Sequence, residues 1–226
     1  MSAPAAANEA LPRYRPLAFG VTRGVLREGA PGVRYLEAET PLEPYGAHIT
    51  SRLLHWAEVA PDRSFIARRE RLADGSTGDW IHISYAQALE KARRIGQGLL
   101  DRGLSAQRPV AILSENSLEH ALMVLGCLYA GVPHCSVSPP YSIVSRDYDK
   151  LRHVLATLTP GLVFAGDEAR YGRAIREAVP ADIEVVLVDG EVEGRRCACF
   201  SELLATEPTP AVDAAMRATG PDTITK

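Results

Sequence analysis

Apolar positions first recur at helical spacing from Leu53 onward. Leu53, Leu54, Trp56, Ala57 and Ala60 mark one face, and Pro61 stops the run. Ser64 to Arg69 then predicts a strand, Ala73-Asp74-Gly75-Ser76 a turn, and Trp80 to Ser84 a second strand. Ser84 with Gln87 three residues on is a capping-box pattern, so a helix is expected to open at Tyr85. It carries Ala88, Leu89, Ala92, Ile95, Leu99 and Leu100 on one face and stops near Gly103. Beyond it a strand–helix rhythm sets in. Pro109 to Leu113 is a short, wholly apolar strand, Asn116 or Ser117 caps a helix running to about Ala130, and Gly131 ends it. Val132 to Val137 predicts the next strand, closed by Ser138-Pro139-Pro140. A helix follows over Asp147 to Thr157, a strand over Leu162 to Ala165, a helix over Glu168 to Ala178 and a strand over Glu184 to Val188. The chain closes on Gly220-Pro221-Asp222, a turn, and Thr223-Ile224-Thr225-Lys226, which alternates like the start of a strand.

Short apolar strands alternating with amphipathic helices predict an α/β fold: a mostly parallel sheet with helices on both faces. The strands VAIL, LVFA and VVLV lack a polar side, which calls for burial from both directions. Residues 1–46 are rich in Pro, Gly and Ala and show little periodicity, so they are read as an irregular lead-in to an organised region over 47–226. Pro16-Leu17-Ala18-Phe19 is a short apolar piece within that lead-in, able to dock on a core but not to make one.

Composition narrows the function classes without naming one. Hydrophobic residues make up 46% and charged residues 23% of the 226, enough to bury a core, and the formal net charge of -3 gives no pull toward nucleic acid or an anionic membrane. The aromatic residues are two Trp, eight Tyr and four Phe, with no basic–aromatic interleaving. The longest apolar run, Ala121 to Val132, falls well short of the ~20 residues that span a bilayer. The first twenty residues hold no continuous hydrophobic stretch of the signal-peptide kind. Cys127, Cys135, Cys197 and Cys199 are scattered through a chain too long to need staples, so they are read as reduced thiols and the protein as cytoplasmic.

Several chemical motifs are excluded by spacing or position. Gly96-Gln97-Gly98 lacks the final glycine of a dinucleotide fingerprint and lies inside a predicted helix, where backbone N–H groups are already bonded. No G-x-x-x-x-G-K-[ST] loop and no G-x-S-x-G elbow occurs, so no ATP-binding residue and no catalytic nucleophile is assigned. Cys197-Ala198-Cys199 is C-x-C without a second Cys/His cluster, short of the four ligands of a zinc site, and is read as a surface or hairpin pair of thiols. His134 and Cys135 fall on a buried strand, where packing and hydrogen bonding account for them, and no metal ligand is assigned. Glu115 and Glu119 flank a helix start, where the dipole favours negative charge.

The segment Ile112 to Ser142, ILSENSLEHALMVLGCLYAGVPHCSVSPPYS, resembles the adenylate-forming (AMP-binding) superfamily of acyl-CoA synthetases, luciferases and peptide-synthetase adenylation domains. The resemblance rests on the Asn116-Ser117 cap, on Tyr129-Ala130-Gly131 and on the turn Ser138-Pro139-Pro140-Tyr141-Ser142. Leu54 to Arg63, LHWAEVAPDR, resembles the family's opening helix and its Pro-Asp-Arg exit. Tyr141 to Leu155, Thr159 to Phe164 and the lead-in Arg15 to Gly20 are similar to feruloyl-CoA synthases.

That resemblance implies an acid–CoA ligase using ATP, Mg2+ and CoA, with a small aromatic carboxylic acid such as ferulate or a related hydroxycinnamate as substrate. Another acyl-CoA ligase, for a fatty or benzoic acid, and a non-catalytic module derived from this fold stand as alternatives. It also implies that residues 47–226 are the N-terminal portion of an adenylation domain. In the family GPDTITK is followed by a strand and a Ser/Thr/Gly-rich phosphate loop, so the chain by itself is expected to be inactive, to bind no cofactor tightly and to self-associate through an open sheet edge. The implied site residues are Ser138, Tyr141 and Ser142, in a turn close to where CoA approaches. A local reading, in which Ser138 and Tyr141 only fix the turn, stands beside it, because Pro139-Pro140 replace the basic or extended polar residue often found there.

Overall fold

A computed structural model describes residues 23–72 and 74–226, which divide into two compact units, one ending at Tyr45 and the other running from Gly46 to Lys226. The described residues of the first unit include a regular piece that their composition does not announce. Strands β1 (Gly24–Glu28) and β2 (Arg34–Ala38) pair antiparallel, with Leu26 opposite Leu36 and Arg27 opposite Tyr35. The turn closes through Gly29 N–H to Val33 O at 2.9 Å and Val33 N–H to Ala30 O at 2.8 Å. Charged residues stand on both strands and every position is exposed, so no apolar face marks the hairpin in the sequence. Pro16 to Phe19 and Arg15 to Gly20 lie outside the described residues, as does Ala73 of the expected 73–76 turn.

In the second unit, α1 (Ser51–Val59) precedes an antiparallel ribbon of β3 (Ser64–Arg71) and β4 (Thr77–Ser84). Helix α2 (Tyr85–Asp101) begins at the expected capping box: Ser84 Oγ accepts from Gln87 N–H at 3.3 Å, and Gln87 Oε1 accepts from Ser84 N–H at 3.0 Å. Then come β5 (Val110–Leu113), α3 (Leu118–Ala130), β6 (His134–Ser136), α4 (Pro140–Ile143) and α5 (Asp149–Leu158). The chain continues through β7 (Leu162–Asp167), α6 (Glu168–Ala178), β8 (Glu184–Asp189), β9 (Cys197–Cys199), α7 (Phe200–Ala205) and α8 (Pro210–Ala218). Ser117, not Asn116, caps α3, accepting from His120 N–H at 3.0 Å, and Gly131 ends the helix at φ +68°. A left-handed residue there costs glycine no steric penalty.

The sheet order is β6-β5-β7-β8-β9, and every pair is parallel. Strand alternation divides two cores. Val110, Ile112, Leu162, Phe164 and Val186 pack toward Ile95, Leu99, Met123, Leu203 and Val212 on the side of α2, α3, α7 and α8. Ala111, Leu113, Val163, Ala165, Val185 and Leu187 pack toward Leu151, Leu155, Tyr171 and Ile175 of α5 and α6. The expected doubly covered parallel sheet is the one observed. No helix among the described residues is long and apolar enough to cross a membrane.

Four local expectations need correction. Pro139-Pro140 does not simply close a strand; Pro140 occupies the first turn of α4, where its missing N–H costs nothing. Cys197-Ala198-Cys199, read as a surface or hairpin pair of thiols, has Cys199 at the surface but forms a parallel edge strand and not a hairpin, with Val185 opposite Cys197 and Leu187 opposite Cys199. The helix expected from Asp147 starts at Asp149, because Tyr148 adopts φ +56°. Thr223–Lys226 forms no assigned strand, although Thr225 O accepts from His134 N–H at 3.1 Å alongside β6.

Candidate functional site

From β5 the chain steps to β6 on one side, then returns past β5 to β7 on the other. Strand order reverses between β5 and β7, and open α/β sheets receive ligands beyond the carboxyl ends of the strands at such a reversal. Three segments leave the sheet at that end: 114–117 after β5, 137–142 after β6, and Gly166-Asp167 leading into α6.

Side chains tie the first of these to the third. Asp167 caps α6, its Oδ1 accepting from Arg170 N–H at 2.8 Å, and its Oδ2 accepts from Arg170 Nε–H at 2.8 Å. Arg170 also pairs with Glu115, 55 positions earlier in the chain. Buried Ser114 donates its hydroxyl to Glu115 O at 2.7 Å. His120 joins the first segment to the end of β6, with Nδ1 at 3.2 Å from Glu115 O and Nε2 at 3.1 Å from Ser136 Oγ. The Arg170–Glu115–Asp167 group had no warning in the sequence beyond the Asp-x-x-Arg spacing around a helix start.

The three predicted residues share the 138–142 turn but not one environment. Ser138 is exposed, and its carbonyl accepts from Tyr141 N–H at 2.9 Å. Tyr141 is half-buried, with Lys150 Nζ 5.4 Å from its ring centroid. A shallow pocket of about 330 Å³ joins Tyr141 to Asp149, Lys150, His153 and Val154. Ser142 is buried, and its Oγ has no hydrogen-bond partner. Ser138 and Tyr141 are therefore open to a ligand, while Ser142 lies beneath them.

His134 is buried beside this edge, with Nδ1 unpaired. Burial pushes its pKa below the ordinary value, and the charges of Lys226 and His120 push the same way, against a backbone hydrogen bond with Thr225. Burial also lowers His120. A folded-state pKa below the unfolded ~6.5 means that the unfolded chain takes up more protons as pH falls from there. Stability is thus complete above about pH 6.5 and declines as pH drops toward the folded-state values. Urea midpoints between pH 7.5 and 5 are expected to show this decline, and His134→Gln is expected to flatten it. An unchanged slope in that variant would remove His134 from the account.

Gly96-Gln97-Gly98 does not form a nucleotide cradle. Gly96 and Gly98 lie within α2, where an added Cβ would meet Val212 at 3.0 Å and Leu203 at 2.6 Å respectively; both glycines serve helix packing. Among the described residues no three His, Cys, Asp or Glu groups converge as a metal site.

Comparison with known proteins bears on this geometry. The family model described as AMP-binding enzyme matches residues 53–219. The chain is 43% identical over 61 residues to Fatty acyl-CoA synthetase A of Dictyostelium discoideum, a match covering 27% of this chain and 9% of that protein. It is 27% identical over 135 residues to Luciferin 4-monooxygenase of Nipponoluciola cruciata, covering 59% of this chain and 24% of the relative. In structure it resembles the A-PCP didomain of carboxylic acid reductase from Segniliparus rugosus, solved in complex with AMP. There the TM-score is 0.55 at 12% identity, over 73% of this chain and 28% of that one, a likeness of fold. The chain thus spans a quarter or less of the length of the curated relatives named here.

Proposed function

The chain belongs to the AMP-binding enzyme family, and on that premise we propose that residues 47–226 form the N-terminal portion of the adenylation domain of an ATP-dependent acid–CoA ligase. The observation that carries this reading is the family match over 53–219 on a parallel sheet whose strand order reverses between β5 and β7. In the reaction, a carboxylate attacks the α-phosphate of ATP, forming an acyl-adenylate and releasing pyrophosphate, with Mg2+ offsetting phosphate charge. The CoA thiol then displaces AMP to give the thioester. In this reading these residues supply the sheet on which the reactants are positioned; no phosphate or metal step is assigned to them.

Ser138 and Tyr141 border the approach of CoA in this reading, with Ser142 supporting the turn from below. The half-buried Tyr141 ring, with the Lys150 ammonium close by, suits a purine next to phosphate. Tyr141→Ala in the ligase is expected to raise the KM for CoA roughly tenfold, equivalent to about 1.4 kcal/mol, while leaving ATP–pyrophosphate exchange unchanged. An unaltered KM for CoA would confine Tyr141 to fixing the turn.

Ferulate or a related hydroxycinnamate is the proposed acid, from the similarity of Tyr141 to Leu155 and Thr159 to Phe164 to feruloyl-CoA synthases. A fatty acid is the second reading, favoured by the 43% identity over 61 residues to Fatty acyl-CoA synthetase A. The deciding experiment assays ATP- and CoA-dependent thioester formation by the protein carrying this segment, across hydroxycinnamic, benzoic and fatty acids, with the 226-residue chain in parallel. Preference for fatty acids replaces the first substrate reading with the second. Acid-dependent pyrophosphate release by the 226-residue chain itself would refute the assignment of these residues to an incomplete site.

A further inference from the structure

The outermost strand, β9, holds two thiols in a fixed relation. Its register sets Cys197 opposite Val185 and Cys199 opposite Leu187, and both partners belong to the core on the α5–α6 side. Cys197 packs against that same core, whereas Ala198 between the thiols packs against the other. Strand alternation therefore puts both sulfurs on one face. Cys199 is exposed and Cys197 half-buried. Cys197 Sγ–H donates to Val192 O at 3.8 Å, and Cys199 Sγ accepts from Ser201 Oγ–H at 2.9 Å.

Two outcomes usual for paired thiols fit poorly. At a strand rise of roughly 3.3 Å per residue, alternate Cα atoms lie about 6.6 Å apart, at the outer limit of disulfide geometry, and their Cβ vectors run side by side. Closing the bond would bend a strand pinned to β8. Zinc asks for a tetrahedron, and among the described residues no group of three or more His, Cys, Asp or Glu side chains forms a metal site. What is left is a pair of soft ligands with no third partner, which matches an ion content with two sulfurs.

We propose that Cys197 and Cys199 form a two-sulfur chelate for a soft monovalent cation, with Cu+ as its representative. On binding, each thiol releases one proton and each sulfur forms one bond to the metal; two protons leave and no electron moves. The site would be selective within the chain. Cys127 is buried in α3 with its thiol pushed up by burial, and Cys135 stands alone on β6, at the opposite edge of the sheet.

The test is anaerobic titration of the reduced chain with the Cu+ complex of bathocuproine disulfonate, following loss of the probe's colour. The expected result is one copper per chain for the unmodified protein and for Cys135→Ser. Affinity is expected to fall at least about tenfold in Cys197→Ser and in Cys199→Ser, because either change destroys the chelate. Because Cys199 is exposed, its variant decides the matter even if Cys197→Ser perturbs folding. Undiminished copper affinity in Cys199→Ser overturns the proposal. So does failure of the unmodified chain to take copper from the probe, or a Cys197–Cys199 disulfide in protein prepared without oxidant.

Discussion

Gly126→Ala is expected to destabilise the protein by about 3 kcal/mol, although alanine is the better helix former by roughly 1 kcal/mol. The reason is the crossing of α2 and α3. A Cβ on Gly126 would stand 2.3 Å from Ile95 Cγ2, 2.7 Å from Ile95 Cβ and 3.3 Å from Gly96 N. These atoms belong to the first carbons of a stiff, branched side chain and to backbone, so no rotamer change makes room. Ile95 is fully buried in the core on that side of the sheet. The helices must separate, and the packing of Met123, Cys127 and Leu99 goes with them. Urea denaturation measures the loss, and the double variant with Ile95→Ala tests its cause. Ile95→Ala alone should cost about 2–5 kcal/mol for its cavity, but the pair should cost clearly less than the sum, because each change relieves the other. If Gly126→Ala equals the unmodified protein, helix propensity outweighs contact and the close crossing is not what holds these helices.

The Gly126 position also shows where sequence pattern stops. The run Leu118 to Ala130 announced a buried helix and Gly131 its end, both from local rules, but nothing in it said which helix would press on Gly126. Strands β5, β7 and β8 were legible because each is apolar on both sides, and α2 because Ser84 and Gln87 cap it within four residues. By contrast, β9 is three residues of small side chain with no alternation of polarity, made a strand only by its neighbour β8. Tyr148 and Thr159 take left-handed backbone without a glycine to mark it, so the ends of α5 were misplaced or unseen. The site followed the same division. Ser138, Tyr141 and Ser142 came from resemblance and are neighbours in sequence. Lys150 reaches Tyr141 through the turn from α4 to α5, whereas Glu115 against Arg170 depends on the adjacency of β5 and β7, which no local pattern encodes.

Asp213 carries the other large effect, and it is one that only the folded chain reveals. Its carboxylate accepts from Arg93 Nε–H at 2.9 Å and Arg93 Nη2–H at 2.7 Å, and from the Tyr129 hydroxyl at 2.8 Å. One side chain thus links α8 to α2 and α3. The Arg93 guanidinium, helped by the Tyr129 hydrogen bond, holds the Asp213 carboxyl below its usual range. Burial, with Asp213 next, pushes Tyr129 up to about 12. Asp213→Ala is expected to cost about 2–3 kcal/mol, since it removes a two-pronged charge-assisted pair and leaves the hydroxyl of buried Tyr129 without its acceptor. Arg93 is partly exposed and regains water, which keeps the figure from being larger. Asp213→Asn retains one acceptor and should lose about half as much. Because the folded-state pKa of Asp213 is depressed, its contribution is present above the unfolded value near 3.9 and fades as pH falls through the folded one. The difference between Asp213→Ala and the unmodified protein should therefore be full at pH 7 and shrink in acid. A loss under about 0.5 kcal/mol at pH 7 would mean that Val212 and Met216, buried on the same helix, hold α8 without the carboxylate.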